Sequence, residues 1–254
     1  MKLTIGKDKL DMAQKAADAA AEKIRKAIAE KGEARIIVAT GASQFEFLQA
    51  LVKEEGIDWT KVTGFHLDEY VGIPVDHKAS FRGYMRERFV SQTPQPLKVF
   101  NEVNGEAEDT DAEIARLEAL IRVAPIDVAC IGFGENGHIA FNDPPADFAD
   151  TRCYKVVNLS DTCIQQQLHE GWFENEDAAY KQAISMTCQK IMDCETIISV
   201  VPYAVKAQAI HDTLTMEETN LVPATLMKRH ADVTVYCDKD SAALTDAETL
   251  AKFA

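Results

Sequence analysis

Short apolar runs alternate with helical stretches along most of this 254-residue chain, and that alternation is the tightest restriction on what it can fold into. Arg35-Ile-Ile-Val-Ala39, Val62-Thr-Gly-Phe-His-Leu67, residues 126–133, Thr196-Ile-Ile-Ser-Val-Val201 and Asp232-Val-Thr-Val-Tyr236 read as strands. Their near-continuous apolar character is that of strands covered on both faces. Tyr154-Lys-Val-Val-Asn158, Ala183-Ile-Ser-Met186 and residues 97–100 read as further short strands. From Lys9 to Lys31, Ala13, Ala16, Ala17, Ala20, Ala21, Ile24, Ala27 and Ile28 recur at helical spacing, and Gly32 supplies a stop. Helical stretches also cover 44–54, 80–90 and 111–122, and others begin near Asp161, Pro202 and Ser241. Strand–helix alternation predicts an α/β fold: a doubly wound, mostly parallel sheet with helices on both faces, Rossmann-like. No repeat, low-complexity tract or linker interrupts the chain, so residues 1–254 read as a single domain.

A parallel sheet brings every strand-to-helix junction to one edge, where open α/β sheets place their ligands. The richest junction is Gly132 to Pro145, GFGENGHIAFNDPP, which follows the apolar run ending at Ile131. Glycines there surround His138, with Asn136 and Asp143 close by. A histidine five residues from a carboxylate offers an acid–base pair, although such a composition also suits a plain turn.

Three other junctions bear on it. Thr40-Gly41-Ala42-Ser43 is a small hydroxylated turn at a helix start, suited to an anion or simply to N-capping by Ser43. This turn matches neither GxxxxGK[ST] nor GxGxxG. Asp68 and Glu69 follow a strand; successive side chains alternate, so one carboxylate can enter a site while the other turns to solvent or to a partner. Lys206 falls in the first turn of a helix, where a cation opposes the helix dipole unless a bound anion offsets it; an exposed lysine reaching into water is the alternative. With the Ser43 turn it would form a two-sided anion clamp. Gln165-Gln166-Gln167 and Trp172-Phe173 suit a pocket wall or, for the aromatics, core packing. His66 reads as a core histidine and His77 as a loop residue.

Charge narrows the partners. Lys plus Arg number 27 and Asp plus Glu 41, a formal charge of −14. Nucleic acid and anionic membranes reward basic surfaces, so neither is expected. An anionic ligand would need local donors that overcome this field. The six cysteines show no CxxC pair and no ligand spacing with histidine, so neither a disulfide framework nor a metal site is expected. With no run of membrane-spanning length and no leader-like start, the expected location is cytoplasmic.

Thr40-Gly-Ala-Ser43, Phe65-His-Leu-Asp-Glu-Tyr-Val-Gly-Ile-Pro74, Gly134-Glu-Asn-Gly-His-Ile-Ala-Phe-Asn-Asp-Pro144 and Lys206, in this order, resemble the glucosamine-6-phosphate deaminase (isomerase) family over most of the chain. The related 6-phosphogluconolactonases typically read GxDGHTASLFP at the histidine loop, and Ile139-Ala-Phe-Asn142 here favours the deaminase branch. The resemblance implies that Asp68 moves a proton between C2 and C1 of an opened amino sugar. It implies that His138, assisted by Asn136 and Asp143, opens the ring. Thr40, Gly41, Ala42, Ser43, Glu69 and Lys206 would bind the phosphosugar, with no metal and no organic cofactor. A homo-oligomer is compatible. Galactosamine-6-phosphate isomerisation and lactone hydrolysis are enzymatic alternatives, and a non-catalytic sugar-phosphate sensor is the alternative of another class. Asp143 stands where the family usually has glutamate, so direct contact with His138 requires the loop to move inward. No substitute is evident for the family's phosphate-binding arginine near Glu170. Most of the residues of its effector site are missing from 146–157, Lys155 apart.

Overall fold

The computed structural model describes residues 1–254. Ten strands, β1 (Lys2–Gly6), β2 (Ala34–Val38), β3 (Val62–His66), β4 (Asp68–Tyr70), β5 (Val99–Asn101), β6 (Val128–Ile131), β7 (Tyr154–Asn158), β8 (Gln182–Met186), β9 (Thr196–Val201) and β10 (Val233–Asp238), are divided between two sheets. The helices are α1 (Lys9–Lys31), α2 (Phe45–Leu51), α3 (Phe81–Met85), α4 (Thr110–Ile121), α5 (Asp161–His169), α6 (Cys188–Met192), α7 (Ala207–Thr215) and α8 (Ala247–Ala251), with short 3-10 turns between them. The main sheet runs β1-β10-β9-β6-β2-β3-β5, and every pairing in it is parallel.

Period-two alternation sorts the strands into two cores, one on each face. Ile36 and Val38, Val128 and Cys130, and Ile198 and Val200 join α1 and α2 on one face. Ile37, Ala129, Ile131, Ile197 and Val201 join Leu117 of α4 and Ile210 of α7 on the other. Helix α1 owes its sharp limits to its ends. The Asp8 carboxylate accepts from the amides of Leu10 and Asp11, and Gly32, at φ +82°, closes the last turn in the left-handed conformation that glycine tolerates best.

Strand order decides where the site lies. From β2 the sheet grows outward through β3 and β5, and from β6 it grows the other way through β9 and β10. The reversal falls between β2 and β6, so the chain leaves these neighbours on opposite sides and opens a crevice at their carboxyl ends.

Several elements depart from the sequence expectation. Strands β4, β8 and β7 form a separate antiparallel sheet rather than extending the main one. It is fastened to the end of β3, where the Met186 amide donates to the Leu67 carbonyl and the Tyr154 hydroxyl to that of His66. Strand β1 was not anticipated: it is a short edge strand, buried at Leu3 and Gly6 and partly exposed between them, so it lacks the continuous apolar signal. The helix expected over 80–90 changes at Arg86 from α to π geometry. The one expected from Ser241 starts only at Ala247, because Asp238 and Ser241 bond each other in a turn first.

Candidate active site

An open pocket lies at that crevice, lined from the ends of β2, β3, β6 and β9 and from α5. Thr40, Gly41, Ser43, Asp68, His138 and Lys206 all reach it. The turn after β2 depends on Gly41, whose φ of +104° is unfavourable for a residue with a side chain. Ser43 does not cap the helix. Its hydroxyl oxygen accepts from the Gln44 side-chain amide at 3.0 Å while the serine itself lines the pocket. The Ala42 side chain is not part of the lining; its carbonyl accepts from the Tyr203 hydroxyl.

Asp68 and Glu69 divide as a strand dictates, one into the pocket and the other toward partners within the protein. Asp68 faces the pocket, is 5% exposed, and its carboxylate takes no hydrogen bond from the protein. Burial, then the neighbouring Glu69 charge, pushes its pKa well above the usual carboxylate range. Glu69, expected to help bind the phosphosugar, does not line the pocket. It turns away from the pocket and is fully buried, accepting from the amides of Tyr70, Phe81 and Arg82 and from the Ser80 hydroxyl at 2.8–3.1 Å. These bonds fasten the start of α3 to the strand. Sequence alternation separated the two acids; only the packing of α3 shows that the second meets neither solvent nor the pocket.

His138 sits at the head of a polar relay. Its Nδ1 lies 2.8 Å from Asn136 Oδ1 and 3.3 Å from Asp143 Oδ1. Both neighbours are acceptors, so Nδ1 carries the proton and Nε2 is left free to take one from a ligand. The Asn136 side-chain amide donates to Asp143 at 3.3 Å, and its carbonyl oxygen also accepts from the His138 backbone amide at 3.1 Å. Contact between Asp143 and His138 is therefore direct, and the expected need for further inward movement does not arise. The turn between Ile139 and Asn142 draws the shorter carboxylate in. Burial pushes Asp143 up, but its hydrogen bonds to His138 and Ser160 and the His138 charge outweigh this and hold it at about 2. Asn136 and Asp143 stand behind the imidazole and do not line the pocket.

Lys206 ends a 3-10 turn after β9 and is 4% exposed. No carboxylate lies within 4.0 Å of its ammonium, and it is the only lysine or arginine among the lining residues. Burial lowers its pKa, opposed by the charges of Glu170 and Glu135. A buried cation with no carboxylate partner, sharing the pocket with Ser43, has the chemistry to take an anion. Two non-glycine residues with positive φ, Ala140 at +51° and Tyr203 at +79°, stand beside His138 and Lys206 respectively. Backbone strain of this kind costs about 1–3 kcal/mol per residue and concentrates where function fixes geometry.

Helix α5 forms a pocket wall, as its glutamine run allowed, and adds Glu170 at its end. Gln166, Gln167 and Glu170 line the pocket. Glu170 is held by Gln166 Nε2 at 2.8 Å and Trp172 Nε1 at 2.9 Å. The Gln166 and Glu170 spacing of four places them on one helix face, and that was the available signal. The aromatics pack: Phe173 and Tyr180 join Tyr70, and Trp172 meets Tyr84 edge-on. His66 is buried and stays neutral, its pKa lowered to about 3 by burial and by Arg82. His77 packs against Phe173 and Tyr180.

Residues 7–236 match the family described as glucosamine-6-phosphate isomerases/6-phosphogluconolactonase. Glucosamine-6-phosphate deaminase from Listeria innocua is 37% identical over 210 residues, 82% of this chain and 86% of that protein. The enzyme of the same name from Streptococcus uberis is 34% identical over 209 residues, again 82% and 86%. Among solved structures, a monomeric glucosamine-6-phosphate deaminase superposes with a TM-score of 0.86 at 28% identity, covering 96% of this chain and 100% of its own. A putative 6-phosphogluconolactonase from Neisseria gonorrhoeae shares the fold, with a TM-score of 0.74 at 22% identity, covering 94% of this chain and 99% of its own.

Proposed function

The chain belongs to the glucosamine-6-phosphate isomerase/6-phosphogluconolactonase family, and we propose that it converts glucosamine 6-phosphate and water to fructose 6-phosphate and ammonia. One observation carries this reading: two separate acid–base groups, Asp68 and His138, face one pocket whose only lysine or arginine is Lys206. A deaminating isomerisation needs two such centres, because opening the ring and moving a carbon-bound proton occur at different atoms.

In the proposed reaction the phosphate lies between Lys206 and the Ser43 turn. His138 Nε2 takes the proton of the C1 hydroxyl and returns it to the ring oxygen, giving the open-chain aldehyde. Asn136 and Asp143 keep Nδ1 protonated, so Nε2 starts the cycle as the base. Asp68 then removes the C2 proton while the substrate's own C2 ammonium gives up a proton to O1, leaving a neutral enolamine, and Asp68 delivers the C2 proton to C1. The resulting C2 iminium adds water and expels ammonia, leaving the ketone. Asp68 suits the carbon acid because an unsolvated carboxylate with a raised pKa is the stronger base.

No helix of the protein is long and apolar enough to cross a membrane. A doubly charged sugar phosphate does not cross a bilayer unaided, so this reading places the protein in the cytoplasm.

The direct test is ammonia release from glucosamine 6-phosphate, set beside galactosamine 6-phosphate and 6-phosphogluconolactone. Ammonia from the first substrate is the expected result; hydrolysis of the lactone without ammonia from either amino sugar would replace the reading. The phosphate clamp has its own test. Lys206→Met is expected to raise KM for the phosphosugar about tenfold or more, the worth of one charge-assisted bond, with a smaller change in kcat. Inorganic phosphate should inhibit the wild type competitively and the variant far less. Equal inhibition of both would place the phosphate elsewhere.

A further inference from the structure

Asp143 holds the proposed ring-opening histidine, and Ser160 in turn holds Asp143. The Ser160 amide and hydroxyl both donate to Asp143 Oδ2, at 3.1 and 2.7 Å, while Asp143 Oδ1 faces His138 Nδ1 and Asn136. A single carboxylate is thus pinned on one oxygen and presented to the imidazole with the other. Ser160 is also the N-cap of α5, its hydroxyl oxygen accepting from the Cys163 amide at 3.1 Å. The same hydroxyl therefore closes the helix and fixes the carboxylate. The other end of α5 carries Gln166, Gln167 and Glu170 into the pocket wall. One rigid helix joins the group that orients Asp143 to the groups that meet the ligand.

We propose that Ser160 is a positioning residue for the His138–Asp143 pair, setting the imidazole tautomer from the start of α5. This rests on the deaminase reading of the pocket. Aspartate is a short arm, and without a second holder its rotation about χ1 and χ2 would carry Oδ1 away from Nδ1. Ser160 removes that freedom, so its hydroxyl acts through Asp143 without touching the substrate. Geometry of this kind matters at the scale of an ångström, where a misplaced acid–base group costs about a hundredfold in rate.

Three substitutions separate positioning from capping. Ser160→Thr keeps both bonds and is expected to retain activity within about threefold. Ser160→Asp keeps a strong N-cap but offers Asp143 a like charge instead of a donor. Ser160→Ala loses both functions of the hydroxyl. Both Ala and Asp variants are expected to lower kcat for ammonia release about tenfold to a hundredfold, with KM within about threefold of wild type. Nitrogen NMR of the His138 ring should show the Nδ1-protonated tautomer in the wild type and Thr variant, and a mixture in the other two. A Ser160→Asp variant with wild-type kcat and tautomer would overturn the proposal, leaving Ser160 as a cap alone. So would a loss confined to KM and thermal stability. Failure of the deaminase reading is distinguishable, because the wild type itself would then release no ammonia.

Discussion

Asp68→Asn is expected to lower kcat for ammonia release by about 10²–10⁴-fold while sugar-phosphate binding survives, since the amide keeps the shape of the carboxylate and loses only its basicity. Binding can be read from the thermal shift that the substrate or inorganic phosphate gives the inactive variant. The pH dependence carries a sign. Asp68 must be ionised to take a carbon-bound proton, and burial followed by the Glu69 charge raises its pKa well above 3.8. Activity should therefore fall as pH drops through a value above the usual carboxylate range. Stability runs the other way. A carboxyl whose folded pKa exceeds its unfolded one binds more protons when folded, so it costs stability as pH rises from 3.8 through the folded value. Asp68→Asn should accordingly be more stable than the wild type at neutral pH, with the advantage shrinking toward acid. A variant that lost activity and gained no stability would show that Asp68 is ionised cheaply, contrary to its desolvated setting.

Gly134→Ala is the second large effect, and it touches no ionisable group. A Cβ on Gly134 would lie 2.1 Å from His138 Cε1 and 2.4 Å from both ring nitrogens, so the imidazole must leave its present position. The Gly134 amide also donates to the His138 carbonyl at 2.9 Å, and this closed turn leaves little room for the backbone to yield. Displacing the imidazole by an ångström or more should reduce kcat by about a hundredfold or more. Crowding of this kind costs about 1–3 kcal/mol of stability, which denaturant unfolding would measure. Full activity in the alanine variant would show that the ring does its work from elsewhere. The GxGENGH spacing alone gives no sense of this contact, because the glycine looks like any turn residue until the ring is seen lying against it.

Much of the site was legible before any coordinates. Ser43, Asp68, His138 and Lys206 each follow a strand, and a parallel sheet delivers every such junction to one edge. Their convergence on one pocket needed only the right fold class. Glu69 shows the limit of that argument. Alternation says that it points away from Asp68, but the destination depends on α3, which begins twelve residues downstream and offers the Phe81 and Arg82 amides. The glutamine run suited a pocket wall, but which of its residues meet the pocket, and that Glu170 joins them, depends on the face that α5 turns inward, which nothing local tells. Asp143 was judged by its length, and the folded turn and Ser160 made up for the missing methylene.

By itself the sequence determined the parallel α/β sheet, the junctions that carry chemistry and the types of group found there. These follow from patterns within a strand or a helix, where each residue's neighbours are its neighbours in the chain. The tertiary structure decided the antiparallel β4-β8-β7 sheet, the burial of Glu69, the α5 wall and the Ser160–Asp143–His138 relay. Each joins segments more than ten residues apart. Orientation across such a gap is set by packing and desolvation at the contact, which no local pattern encodes.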